Sequence, residues 1–86
     1  MPNVTIRYWA AAKQAAGLAE EAVQAPTLAA AIAAALDRRG GDQALSTVLA
    51  RSSFLVDGSP VGGRAAADVL LPEAAVIEVL PPFAGG

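Results

Sequence analysis

The chemistry this sequence offers is concentrated in its last seven residues, Leu80, Pro81, Pro82, Phe83, Ala84, Gly85 and Gly86. Each proline ring fixes φ and removes a backbone donor, so neither a helix nor a central strand continues through Pro81 and Pro82 and the segment is held extended. Six residues beyond Leu80, at about 3.3 to 3.6 Å each, carry the Gly86 carboxylate roughly 20 Å from a folded body, deep enough to enter another protein's active site. Gly85 and Gly86 have no Cβ, so a narrow channel admits their backbone and a second catalyst can approach the last carbonyl. The competing reading is an inert, frayed chain end.

The rest of the chain lacks catalytic equipment. It has no histidine and no cysteine, which removes a thiolate nucleophile, a disulfide framework and the usual nitrogen and sulfur metal ligands. Ser46, Ser52, Ser53 and Ser59 have no histidine to activate them. The carboxylates of Glu20, Glu21, Asp37, Asp42, Asp57, Asp68, Glu73 and Glu78 are scattered over turns and caps, which predicts solvated surface rather than an acid–base pair. Gly58 to Gly63 spells G-x-x-x-x-G, but Arg64 and Ala65 stand where a phosphate-binding loop needs lysine and serine or threonine. A chain without a catalyst that presents a reachable carboxylate reads as a substrate or carrier. It binds no cofactor on this reading.

Composition bounds the partners. A formal net charge of −2, a pI near 4.8 and a single lysine, Lys13, argue against a nucleic-acid footprint. The opening Met1-Pro2-Asn3-Val4 has no basic leader region, and the longest apolar run, Leu28 to Leu36, is too short to span a bilayer. A soluble, cytoplasmic protein without a membrane segment is expected. Eighty-six residues make one small domain, residues 1–80, with residues 81–86 as its extended tail.

The tail needs elements that deliver it. Val4, Ile6 and Tyr8 alternate with Thr5, Arg7 and Trp9, the period of a half-buried strand, and with Arg7 and Thr5 towards solvent Trp9 falls on the open side. The inverse register, which buries Trp9, stays open. Ala10 to Ala16 makes two helical turns closed by Gly17, and Glu20 to Gln24 a second strand. Pro26 and Thr27 start the clearest helix, with Thr27 as N-cap, Leu28, Ile32 and Leu36 as its buried stripe and Gly40-Gly41 as its end. Asp42 caps a further helix that turns Leu45, Val48 and Leu49 to one face and fills in below the main helix. Phe54 to Val56 forms a strand that enters a turn at Asp57-Gly58, Ser59 to Ala67 a loop or short edge structure, and Asp68 to Pro72 an irregular connection. Ala75 to Leu80 is the last strand, with Ile77 and Val79 inward and Val76, Glu78 and Leu80 outward. The pattern predicts an α+β fold, a mixed sheet with its helices on one face and the other face open.

The strand VTIRYWA, the helix opened by PTL, the strand ending in DG and the terminus EVLPPFAGG together resemble the MoaD/ThiS sulfur carriers of the ubiquitin-like β-grasp fold, most closely the MoaD type. The likeness covers essentially the whole chain, and PPxAGG after a hydrophobic strand is its most specific part. It implies that Gly86 carries an adenylate and then a thiocarboxylate, with Gly85 giving access. ATP is consumed by a MoeB-like adenylating enzyme, and a sulfur donor protein supplies the sulfur. It further implies a hetero-oligomer with a MoaE-like large subunit, where sulfur passes to precursor Z in molybdenum cofactor biosynthesis. Trp9, Leu80, Pro81, Pro82, Phe83 and Ala84 then bind the partner, Trp9 and Leu80 as the apolar docking patch. Phe83 departs from the small aliphatic residue common before Ala-Gly-Gly, which leaves partner preference open. Three alternatives stand beside this one: a carrier feeding thiazole or cysteine synthesis, a ubiquitin-like protein modifier, and a binding module with an inert tail.

Overall fold

Val4, Ile6 and Tyr8 are each only 2% exposed, while Thr5 and Arg7 between them are not buried, so the alternation in the first strand sets one face of a sheet against the core. The computed structural model describes residues 1–82. Along them run β1 (Asn3–Tyr8), α1 (Ala10–Ala16), β2 (Glu20–Gln24), α2 (Leu28–Asp37), α3 (Gln43–Arg51), β3 (Ser53–Val56), β4 (Ser59–Pro60), one 3₁₀ turn (Ala66–Asp68) and β5 (Val76–Leu80). The strands form one mixed sheet in the order β2-β1-β5-β3-β4. β1 runs antiparallel to β2 and parallel to β5, and β3 pairs antiparallel with β5 and β4. This is the expected α+β, ubiquitin-like β-grasp arrangement.

All three helices press on the same side of the sheet, where their buried residues join Val4, Ile6, Tyr8, Val23, Ile77 and Val79 in one apolar cluster. Caps fix their ends. Thr27 Oγ1 accepts a hydrogen bond from the Ala30 N–H at 3.1 Å, and Asp42 Oδ1 accepts from the Ala44 N–H at 2.7 Å, so each satisfies donors that a helix start leaves open. Gly17 closes α1 at φ +84, donating to the Lys13 carbonyl at 3.0 Å, the left-handed stop that glycine adopts without a Cβ clash.

Two details depart from the sequence expectation. Facing the sheet, α2 buries Leu28, Ala31 and Ala35, whereas Ile32 and Leu36 are only partly buried at the rim. Nearly every α2 residue is apolar, so hydrophobicity does not choose between neighbouring stripes, and short alanine side chains let the helix backbone approach the strands closely. α3 packs chiefly beside α1 rather than below α2. Among the described residues no helix is long and apolar enough to cross a membrane.

Candidate functional site at the base of the tail

β5 is the central strand of the sheet and delivers the chain to Pro81, which is half-buried, and Pro82, which is exposed. Its inward residues Ile77 and Val79 are each 1% exposed; Val76, Glu78 and Leu80 point to the uncovered face and are half-buried by their cross-strand neighbours. Those neighbours are Thr5 and Arg7 from β1 and Ser53 and Leu55 from β3. Leu80, Leu55 and Val76 therefore give the open face an apolar strip, and Glu78 sits within it. Arg7, opposite Glu78, pairs instead with Glu20 at 3.4 Å, so among the described residues Glu78 has no ion-pair partner.

Trp9 stands at the end of β1, beside this strip. The strand ends at Tyr8 and Trp9 becomes the N-cap residue of α1, with no capping hydrogen bond from its side chain. It is 49% exposed, and the inverse register that would bury it is ruled out by the inward Tyr8. Ala10 follows at φ +49, a left-handed conformation that costs a residue with a Cβ about 1–2 kcal/mol. That single residue redirects the chain from strand to helix and leaves the indole outside. Exposed tryptophan next to an apolar strip is what a docking surface presents, since large aromatic side chains dominate interface energetics.

Beneath Trp9, on the covered side, lies a polar cluster that the sequence reading missed. The Tyr8 hydroxyl donates to Glu21 Oε2, and the same carboxylate receives Arg39 at 2.8 Å and Arg38 at 3.2 Å. Arg39 also donates to the carbonyls of Ala16 at 3.1 Å and Ala35 at 2.7 Å and lies 5.7 Å from the Tyr8 ring centroid, within cation–π range. One guanidinium thus ties together β1, β2, α1 and α2. Glu21 was expected to be solvated; its side chain is 8% exposed. It faces inward because its Cα partner is Ile6, a core position. Burial acts to raise the Glu21 carboxyl, but hydrogen bonds from Tyr8, Arg39 and Arg38 outweigh it and hold the group below its ordinary 4.5. Burial, then the hydrogen bond to Glu21 and its negative charge, push the Tyr8 phenol above its ordinary 10.0. The only signal available in the sequence was Glu21 at an inward-facing strand position together with the Arg38-Arg39 pair.

Trp9 follows Tyr8, whose Cα partner across the sheet is Val79, the residue before Leu80; Pro81 is half-buried and Pro82 exposed. Phe83, Ala84, Gly85 and Gly86 lie outside the described residues. A gap of about 10 Å³ between α2, α3 and the sheet, lined by Ile6, Leu28, Leu49, Phe54 and similar side chains, is too small for a substrate and too apolar to hold water stably.

In structure the chain is similar to the small archaeal modifier protein 1 of Methanosarcina acetivorans, with a TM-score of 0.83 at 21% identity over 100% of this chain and 98% of that one. It is similar to a putative molybdopterin converting factor subunit 1 from Pyrococcus furiosus, with a TM-score of 0.75 at 21% identity over 96% and 100% of the two chains. A further likeness is to a chain in the complex of subunits 1 and 2 of the molybdopterin-converting factor of Helicobacter pylori, with a TM-score of 0.68 at 20% identity over 98% and 99%. These likenesses establish the fold. No curated protein matches the chain. The sequence model of the ThiS family matches residues 6–86, from the first strand through the glycine tail, and the chain therefore belongs to the ThiS family.

Proposed function

We propose that this chain is a sulfur carrier for molybdopterin synthesis, with the carboxylate of Gly86 as the carrier group. A carboxylate is a poor electrophile. Transfer of AMP from ATP by a MoeB-like enzyme turns one of its oxygens into a leaving group, and a sulfur donor protein then displaces AMP to form the thiocarboxylate. The chain has no cysteine, so the sulfur rides on the terminus itself. Docking of the open face on a MoaE-like large subunit places the tail in that subunit's active site, where sulfur passes to precursor Z. The site needs no catalytic residue on this chain.

The observation that carries this reading is the architecture of the tail base: a central strand paired on both sides that runs into Pro81-Pro82, with the half-buried Leu80 at its end and the exposed Trp9 at the end of the neighbouring strand. Ordering a free tail costs roughly 1–2 kcal/mol per residue in backbone entropy. Burial of the patch offsets that cost, and the prolines reduce it in advance. The structural likeness to subunit 1 of molybdopterin converting factors supports the same pathway.

Likeness to a small archaeal modifier protein favours a second reading, in which Gly86 is joined to amines of target proteins. Both readings begin with the same adenylate and diverge at the acceptor. Intact mass of the chain after incubation with a MoeB-type enzyme, ATP and a sulfur donor separates them. Exchange of one oxygen for sulfur, lost without ATP and in a chain lacking Gly86, is the expected result. An unchanged mass, with the enzyme shown competent on another carrier, overturns the carrier reading; adducts to other proteins without sulfur exchange establish the modifier.

A further inference from the structure

One row of side chains on the open face of the sheet is unbalanced in charge. By register, Glu20, Arg7, Glu78, Leu55 and Pro60 lie side by side across β2, β1, β5, β3 and β4. Arg7 stands between two carboxylates and pairs with Glu20 at 3.4 Å. The row therefore sets two negative charges against one positive, and Glu78 is the excess.

Glu78 is half-buried on the central strand, with Val76 and Leu80 as its same-face neighbours along β5 and Leu55 beside it on β3. Apolar side chains thus flank it on three sides. On the fourth, Arg7 is the only cation that β1, β2, β3 and β5 turn to this face. Arg64, beyond β4, donates instead to the carbonyls of Val61 at 3.1 Å and Pro60 at 3.4 Å. Residues 83–86, Phe-Ala-Gly-Gly, contain no basic side chain. The counter-charge must come from another molecule.

A partner that buries Val76, Leu80 and Leu55 together buries Glu78 as well, because the carboxylate lies between them. Apolar surface gains from that cover, whereas a carboxylate stripped of water without a counter-charge is among the costliest groups to bury. A second copy of this chain is a poor cover, since its own face brings the same excess negative charge.

We propose that Glu78 sets the specificity of the open face by receiving one basic side chain from the large subunit that docks there, an inference that rests on the docking reading above. Arginine fits the place best: its planar fork donates to both carboxylate oxygens, and it is more weakly hydrated than an ammonium group. The carboxylate then acts in two directions. It fixes the register of a partner that presents the cation, and it rejects an equally apolar surface that lacks one.

Calorimetric titration of the full chain with a MoaE-like large subunit from the same organism tests this. Glu78→Gln should weaken binding roughly 30-fold, because the partner's cation is then buried without its counter-charge, while the urea midpoint stays unchanged. Glu78→Lys should abolish binding, and charge reversal of one interfacial basic residue of the large subunit should restore it; binding that no such reversal restores counts against the pair. Unchanged or tighter binding of Glu78→Gln overturns the proposal and leaves docking intact, since Glu78 then lies outside the interface or is buried unpaired. Loss of the Glu78→Gln effect in an Arg7→Gln background overturns it too, by showing that Arg7 leaves Glu20 to serve Glu78 on docking. Failure of the unaltered chain to bind the large subunit overturns the docking reading itself, and the proposal with it.

Discussion

Tyr8 and Trp9 are adjacent in sequence and opposite in fate. Tyr8 is 2% exposed and held by Glu21 and Arg39 in a cluster that joins two strands and two helices; Trp9 is 49% exposed with no capping bond from its side chain. The covered side of the sheet, alanine helices pinned by one buried carboxylate and two arginines, carries stability. The open side, with Trp9, Leu80, Leu55 and a Glu78 that has no ion-pair partner among the described residues, presents apolar surface that a partner can cover. The difference teaches that a small domain can keep an adhesive face without losing its fold, provided the opposite face does all the holding.

That division of labour can be broken in several ways, of descending effect. Deleting Gly85 and Gly86 should abolish sulfur exchange at the terminus while the urea midpoint stays unchanged; loss of stability together with activity would show that the two sides are not separable. Glu21→Ala leaves the Tyr8 hydroxyl and the Arg39 guanidinium without their buried partner, for which about 3 kcal/mol of destabilisation is expected, a large share of the 5–15 kcal/mol that domains typically possess. Equilibrium urea unfolding reads it directly. Trp9→Ala should do the reverse, weakening binding to a large subunit by about 2 kcal/mol, roughly 30-fold, in calorimetric titration, with stability changed by less than about 0.5 kcal/mol.

Acid should find the covered side first. Glu21 is held below its ordinary value, so the folded state binds fewer protons there than the unfolded chain, and its contribution is complete above 4.5 and lost as pH falls through the folded value. Tyr8 is shifted the other way: its contribution is complete below 10.0 and lost as pH rises beyond it. Unfolding free energy measured against pH should therefore fall at both extremes, and Glu21→Gln should flatten the acid limb. The smallest effect expected is a gain. Ala74 sits at φ +66, so Ala74→Gly relieves a left-handed alanine at about 1–2 kcal/mol. Glycine's greater unfolded-state entropy takes back about 0.4–1 kcal/mol, leaving a small rise in melting temperature.

Much of this was legible in the residues. Period-two alternation located β1 and β5 and their inward sides, and Thr27, Asp42 and Gly17 marked helix ends because capping chemistry is local. The open face followed from the same alternation, which placed Trp9 outward but left the inverse register open; the inward Tyr8 settles it. The α2 stripe was not legible, since a helix that is apolar all round gives its neighbours no polar face to avoid. Nor was the Tyr8–Glu21–Arg39 cluster: its members lie 13 and 18 positions apart along the chain, and only the β1–β2 register and the end of α2 bring them together. A charged residue at an inward strand position is a clue that a partner exists, but not which.

The parallel pairing of β1 with β5 has one more consequence. The first strand's central neighbour is the last strand of the fold, so the sheet cannot close until β5 has been synthesised, and contacts of such sequence separation are slow to form. A ribosome that stops early releases a chain missing the middle of its sheet, which is left for proteases. A folded copy has therefore been translated through β5, and a chain that stops before it cannot complete the same sheet.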